Sequence, residues 1–317
     1  MMLTKPRNPE EFLQYGRIER VLLKLRDRRL YRQMKYELQT FKMVQSIGGY
    51  VPPTLGSGAA PANKLSFKHS GNAGDVIYSL PTIRAITGGR AARLALALDV
   101  PMRDRNMKHP LGGVQLNRKM FDMLKPLLEA QPYLDEVVVW EGEEIQYDLD
   151  AFRDAPLLLD RLGICRWYFY MFGIATDLSE PWLFVGGDAS YRESIVVARS
   201  ERYRNHAISY RFLRQYNDIV FLGVEDEYID FAKQVPSARW VQVNDFLQMA
   251  RVIAGSRLFI GNQSFPYSLA EGLKVPRVVE LSPLTPNVVP VGREGYDVLF
   301  QAQFEHVVKN FLARSVV

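Results

Sequence analysis

The chain has 317 residues, 47% of them hydrophobic, and carries a net charge of +5, which predicts a globular protein long enough for two domains of ordinary size. A single cysteine, Cys165, excludes an internal disulfide and fits a reducing compartment. The first twenty residues carry Lys5, Arg7, Glu10, Glu11, Arg17, Glu19 and Arg20. They leave no apolar core for a signal peptide, and no run of about 18 apolar residues offers a membrane span; a soluble, cytoplasmic protein is the expectation.

The charge is unevenly placed. Residues 1–50 hold 11 Lys/Arg against 5 Asp/Glu, a net of +6, so the other 267 residues sum to −1. This asymmetry points to contact between the N-terminal segment and an anionic surface, either membrane or nucleic acid. The alternative is a solvated helix face whose other side packs on the body. Residues 9–47 read as helix, broken once near Gly16, with Leu23, Leu30, Met34, Leu38 and Phe41 recurring on one face. The Gly- and Pro-rich stretch "GGYVPPTLGSGAAPAN" (48–63) is a linker or an extended strap.

After it the rhythm changes. "KLSFKHS" (64–70) reads as a buried strand, "GNAG" as a turn and 75–87 as a helix. A strand at 92–100, a helix at 120–130 and the strand "EVVVW" (136–140) follow, and the aromatic stretch 151–175 predicts a helix closing this half. "DLSEPWLFVGGD" (177–188) has turn residues at both ends and reads as the crossing between halves. Strands at 194–198, 218–223, 239–243, 257–261 and 277–281 then alternate with helices near 209–216, 225–235, 245–254 and 267–273; a last helix covers 303–313. The alternation predicts an α/β fold of two facing Rossmann-like halves with parallel sheets. The expected division is a basic helical extension with its linker at 1–63, one half at 64–180 and the other at 181–317.

In open α/β sheets ligands bind beyond the carboxyl ends of the strands, where the topology switches. Three loops qualify. The first is Gly71-Asn72-Ala73-Gly74-Asp75, whose glycines permit a tight turn and close backbone approach. Asp75 stands at a helix start, where the dipole favours a carboxylate, either as a functional group or as an N-cap. In the second, Arg199, Arg202 and Arg204 crowd beside Ser200 and Asn205 after a strand. Guanidinium forks match phosphate oxygens bidentately, although a surface charge run is the alternative. The third is "NQSFPYS": Asn262, Gln263 and Ser264 leave a strand and Pro266 suits a first helical turn. The freed backbone N–H groups of such a turn bind an anion without any charged side chain; an ordinary β-α turn is the other reading. The sequence holds no GxxxxGK[ST], no HExxH, no metal-spaced Cys/His cluster and no placed Asp-x-Asp pair. His69, just before the first loop, either orients it or is a satisfied structural histidine.

Together these loops resemble glycosyltransferase family 9, the ADP-heptose:lipopolysaccharide heptosyltransferases. The family's first half opens with a strand and then G-x-x-G-D-[VI]-x-x-x-x-P; "GNAGDVIYSLP" fits from Gly71 through Asp75 to Pro81. "ARVIAGSRLFIGN" (250–262) is similar to the segment that leads into the family's donor loop. Where the family continues Asp-Ser-Gly-Pro-x-His-Leu-Ala, this chain has Gln263-Ser264-Phe265-Pro266-Tyr267-Ser268-Leu269-Ala270, then Lys274-Val275-Pro276. The resemblance spans roughly residues 64–285 and implies the GT-B architecture.

It also implies transfer of a sugar from a nucleotide-sugar donor to an acceptor hydroxyl, by a single displacement with inversion and with no metal or other cofactor. Asp75 matches the family's proposed base. The implied donor site draws on Arg199, Ser200, Arg202, Arg204, Asn262, Gln263, Ser264, Phe265, Tyr267 and Ser268. The implied acceptor lies on the side of Gly71, Asn72 and Gly74, next to the loop with Arg103, Arg105, Lys108 and His109 and the following Arg118 and Lys119. Five Lys/Arg against Asp99 and Asp104 over 99–119 point to an anionic acceptor (a glycan, a lipid-linked glycan or a nucleic acid), unless the loop is basic merely because it is solvated. Three family positions differ: the Asp is Gln263, the Gly is Phe265 and the His is Ser268. Those departures imply a divergent member with a changed donor, or a site that binds without turnover. A nucleotide-sugar 2-epimerase, a non-catalytic GT-B module and a nucleic-acid-directed glycosyltransferase are the other readings.

Overall fold

The computed structural model describes residues 5–52, 64–102 and 112–314. By its contacts the chain divides into two compact units, residues up to 52 together with 154–156, and 53–153 together with 157–317. No helix among the described residues is long and apolar enough to cross a membrane.

The first unit is helical: α1 (Pro9–Leu13), α2 (Arg17–Arg26) and α3 (Arg28–Gly48). Asn8 starts α1 by accepting the Glu11 N–H, with Pro9 at the first helical position. Gly16 caps α2, and the Glu19 carboxylate takes its N–H at 2.8 Å, so the break near Gly16 is present. A second break, which the apolar spacing does not signal, falls at Asp27, whose carboxylate accepts the Leu30 N–H at 2.9 Å and caps α3. Phe12, Leu23, Met34 and Leu38 are buried together, with Leu30 and Phe41 against them. The predicted apolar face is therefore the small core of this unit.

The second unit holds two sheets of parallel strands. The first sheet comes from β1 (Lys64–His69), α4 (Ala73–Thr87), β2 (Ala91–Leu96), α5 (Arg118–Glu129), β3 (Glu136–Val139) and β4 (Tyr147–Asp148), in the order β3-β2-β1-β4. After α6 (Ile164–Phe172), the second comes from β5 (Ile195–Ala198), β6 (Ile219–Leu222), α7 (Glu225–Gln234), β7 (Arg239–Val241), α8 (Phe246–Gly255), β8 (Leu258–Asn262), α9 (Phe265–Leu273), β9 (Arg277–Glu280), β10 (Gly295–Val298) and α10 (Gln301–Arg314). Its order is β10-β9-β8-β5-β6-β7. Strands β5, β6, β8 and β9 are buried at every position, as parallel strands covered on both faces must be.

Numbered within each half, the strand orders are 3-2-1-4 and 3-2-1-4-5-6, the doubly wound arrangement. The topology therefore switches between β1 and β4 in one sheet and between β5 and β8 in the other. Helix α4, which follows β1, packs against α9, which follows β8. Two expected helices shrink. Residues 151–175 hold a 3-10 turn (Leu149–Arg153) and the short α6, and 209–216 is the 3-10 turn Arg211–Gln215. Strands β4 and β10 are absent from the sequence reading, and both sheets fall within one contact unit.

Candidate active site

The loops after β1, β5 and β8 leave the carboxyl edges of their sheets at the two switch points, and they meet. A Cβ on Gly74 would lie 3.9 Å from Ser268 Oγ and 4.0 Å from Phe265 Cα. Tyr203, in the loop after β5, senses Asp75. Burial pushes its phenol pKa up, Arg202 pulls it down, and the Asp75 carboxylate raises it again.

Asp75 is not the cap of α4. Asn72 is, and Asp75 sits three residues on with its carboxylate reaching back. Oδ2 accepts from the Asn72 N–H at 3.2 Å and from Asn72 Nδ2 at 3.3 Å, and it faces Arg153 Nη2 at 3.7 Å. Oδ1 takes no hydrogen bond among the described residues, and the side chain is 16% exposed. One oxygen is held and the other has no protein partner among the described residues. Gly71 supports this turn at φ +96°, where a Cβ would stand 3.0 Å from that of Leu116; only glycine suits both demands.

Beneath the loop lies a polar cluster that the motif does not reveal. The Gly71 N–H donates to His69 Nδ1 at 2.8 Å, which leaves the ring proton on Nε2, 2.9 Å from Tyr168 Oη. Tyr168 in turn donates to the Asp75 main-chain oxygen at 2.9 Å. Burial pushes the His69 imidazole below its usual pKa, against the opposing pull of Asp150. Arg153 donates to Gly71 O and, at 3.1 Å, to Asp150 Oδ1. Asp150 also accepts from the Ser70 hydroxyl at 2.8 Å. Burial raises the Asp150 pKa, but the Arg153 guanidinium and these hydrogen bonds outweigh it and hold the carboxyl below the usual range.

Across the site, most side chains expected at the donor are bound to protein. Arg199 is buried and forks onto Glu280, Nε at 2.8 Å and Nη2 at 3.0 Å, with Nη2 also on Ile208 O at 3.2 Å. Arg204 pairs with Asp230 at 2.6 Å and donates to Ser200 O at 2.9 Å. Asn262 clamps the arginine loop: its Nδ2 donates to Ser200 O and Arg202 O, and its Oδ1 accepts the Ser200 N–H. Ser200 Oγ lies 3.2 Å from Arg202 O. Gln263 points away into 282–287, donating to Thr285 O at 2.7 Å and accepting the Ser282 N–H at 2.6 Å. Tyr267 is fully buried in the core, and buried Ser268 donates back to Phe265 O at 2.6 Å. Phe265 packs on Phe246, ring centroids 4.2 Å apart. Arg202 has no carboxylate partner among the described residues; its guanidinium lies 5.1 Å from the Tyr203 ring centre. Ser264 begins α9 without a side-chain cap.

Arg103, Arg105, Lys108 and His109 lie outside the described residues. Arg118 is described, and it pairs with Asp122 at 2.9 Å on an exposed helix face. Among the described residues no group of three or more His, Cys, Asp or Glu side chains is placed to hold a metal. Asp150, Arg153 and Tyr168 are the site residues missed from the sequence. The first two follow the two-residue strand β4, too short to show a period, and Tyr168 is lost within an aromatic run.

No family model matches the chain, and no curated protein matches it. Solved structures do. The Escherichia coli heptosyltransferase WaaC with ADP is 11% identical over 78% of this chain and 99% of that one, at a TM-score of 0.53. The iron-containing dodecameric glycosyltransferase TibC of enterotoxigenic E. coli is 11% identical over 80% and 77%, at 0.50. The fold is GT-B. A glycosyl transferase family 9 structure from Veillonella parvula also aligns, 14% identical over 78% and 89%, at 0.48. At 11% identity the likeness to WaaC and TibC extends to the fold alone, and function has to be argued from the site.

Proposed function

We propose that the protein is a glycosyltransferase that moves a sugar from a nucleotide-sugar to an acceptor hydroxyl. The observation that carries this reading is Asp75: one carboxylate oxygen is fixed and the other free where the loops of both sheets converge. In this reading residues 64–180 form the acceptor half and 181–317 the donor half. The free oxygen takes the acceptor proton as the acceptor oxygen bonds the anomeric carbon. The bond from that carbon to the donor phosphate oxygen breaks, its electron pair leaves with the nucleoside diphosphate, and the configuration inverts. Arg202 and the Phe265 N–H at the start of α9 meet the charge that builds on the leaving group, since the Ser264, Tyr267 and Ser268 N–H groups are engaged within the turn and Pro266 has none; no metal or other cofactor enters the scheme. Because Gln263 and Ser268 are occupied within the protein, the donor contacts proposed there come from backbone. The one-cysteine composition suits work in the cytoplasm.

A second reading, nucleotide binding without turnover, is favoured by Gln263 and Ser268 standing where the family has Asp and His. Incubation with a panel of nucleotide-sugars separates the two. Thermal stabilisation by one donor with slow release of free sugar and nucleoside diphosphate supports the transferase. Stabilisation with no release from any donor marks a binding module. No stabilisation by any nucleotide or nucleotide-sugar defeats both.

A further inference from the structure

The core of the N-terminal helical unit is satisfied by Phe12, Leu23, Met34 and Leu38 with their neighbours. Yet α2 carries four more apolar side chains that this core does not use: Ile18, Val21, Leu22 and Leu25, exposed by 76, 56, 42 and 78%. Their i, i+3, i+4, i+7 spacing makes one stripe along the helix, on the side away from Leu23. Exposed Arg17, Lys24 and Arg26 border it. The nearby acids are already engaged, Glu19 on the Gly16 N–H at 2.8 Å and Asp27 on Lys5 at 3.0 Å. Arg20 turns inward to Leu13 O and the Phe12 ring. What remains is an apolar stripe with cations on both edges that make no ion pair among the described residues.

We propose that this face of α2 docks on an anionic phospholipid surface, lying in the interface rather than spanning it. The four aliphatic side chains enter the acyl boundary while the long Arg and Lys stems carry their charges up to the lipid phosphates. The net charge of +6 over residues 1–50 supplies the long-range attraction. Nucleic acid satisfies the cations but leaves the aliphatic stripe in water. A two-fold contact with a second copy covers the stripe but sets Arg17, Lys24 and Arg26 against the same cations of the partner.

The test is co-sedimentation of the full chain with phosphatidylcholine vesicles and with vesicles that also contain phosphatidylglycerol. The wild type is expected to bind the anionic vesicles selectively and to be partly released by salt. Ile18→Glu/Leu25→Glu should weaken binding at least about tenfold, since charged side chains replace buried aliphatic ones. Lys24→Gln and Arg26→Gln should each weaken it about fivefold. Both pairs change exposed positions, and if the glutamate pair loses its helix by circular dichroism, the glutamine pair carries the test alone. The proposal fails if the wild type ignores anionic vesicles, or if neither pair of variants weakens binding. It also fails if duplex DNA is bound instead, or if the glutamate pair only converts a dimer to monomers.

Discussion

The loop after β1 and the loops after β5 and β8 occupy equivalent places, at the carboxyl edge of a sheet where its topology switches. They use their polar side chains differently. In the first loop Asp75 keeps a free oxygen. In the second half Arg199, Arg204, Asn262 and Gln263 are all bound to other parts of the protein. Near a sheet edge, backbone groups and buried carboxylates compete with a ligand for every donor. Leaving a buried polar group unpaired costs about 1–3 kcal/mol, so a polar side chain that can reach a protein partner is recruited to it. A cluster of arginines therefore marks the place where phosphate is expected more reliably than it marks the residue that touches it.

The largest effect that sharpens this contrast is on stability. Arg199→Ala leaves Glu280 buried and without its counter-charge, and unfolding by urea should show a loss of about 3–5 kcal/mol. Unchanged stability together with abolished nucleotide binding would return Arg199 to the ligand and erase the contrast. Next is Asp75→Asn, which retains an acceptor for the Asn72 N–H but loses the base. Transfer should fall roughly 100-fold or more, while stability moves by less than about 1 kcal/mol. Near-normal transfer to a genuine acceptor would reduce Asp75 to a helix-start acceptor. Third, Arg202→Ala should weaken nucleotide binding by about 1.5–3 kcal/mol, the range for a hydrogen bond to a charged group. It should leave stability nearly untouched, because Arg202 has no carboxylate partner among the described residues. Equal affinity in wild type and variant, measured by calorimetry, would leave the donor loop without its proposed cation.

Most of the fold was legible because its signals are local. The buried runs at 195–198, 219–222 and 258–262 are each apolar at nearly every position, as strands covered on both faces must be. The first motif was legible for a similar reason, since the Gly71 turn requires a glycine and the carboxylate four residues on stays with its own helix. Apart from the local cap at Asp27, the misses in the sheets and the site are long-range. Strand β4 exists because it lies beside β1, Phe67 opposite Tyr147, and its two residues show no period. The partners of Arg199 and Gln263 sit 81 and 19 positions away, and no spacing rule connects them. The stripe on α2 was hidden in another way. Ile18, Val21, Leu22 and Leu25 lie off the face that Leu23 shares with α3, and only their exposure shows that they form a second, uncovered stripe.

The smallest expected effect concerns the support beneath the first loop. His69 is buried and neutral, accepting from the Gly71 N–H and donating to Tyr168, and its pKa is lowered chiefly by burial. A histidine whose folded pKa lies below its unfolded value of 6.5 stabilises the fold fully above that value. That contribution is lost as the pH falls through the window beneath 6.5, because the unfolded chain takes up the proton first. Stability should therefore decline on acidification from neutral pH, with a slope from this one proton of at most about 1.4 kcal/mol per pH unit. His69→Gln removes the titrating group. The variant is expected to be less stable overall, because the paired bonds to Gly71 and Tyr168 are disturbed, but its stability should vary less with pH between neutral and mildly acid conditions. Because the affected hydrogen bonds run from Gly71 through His69 and Tyr168 to the Asp75 carbonyl, the variant reports on how firmly the first loop is held. Equal pH slopes in the two proteins, read from urea unfolding at several pH values, would mean that His69 is not held neutral, and the support would lose its proposed polarity.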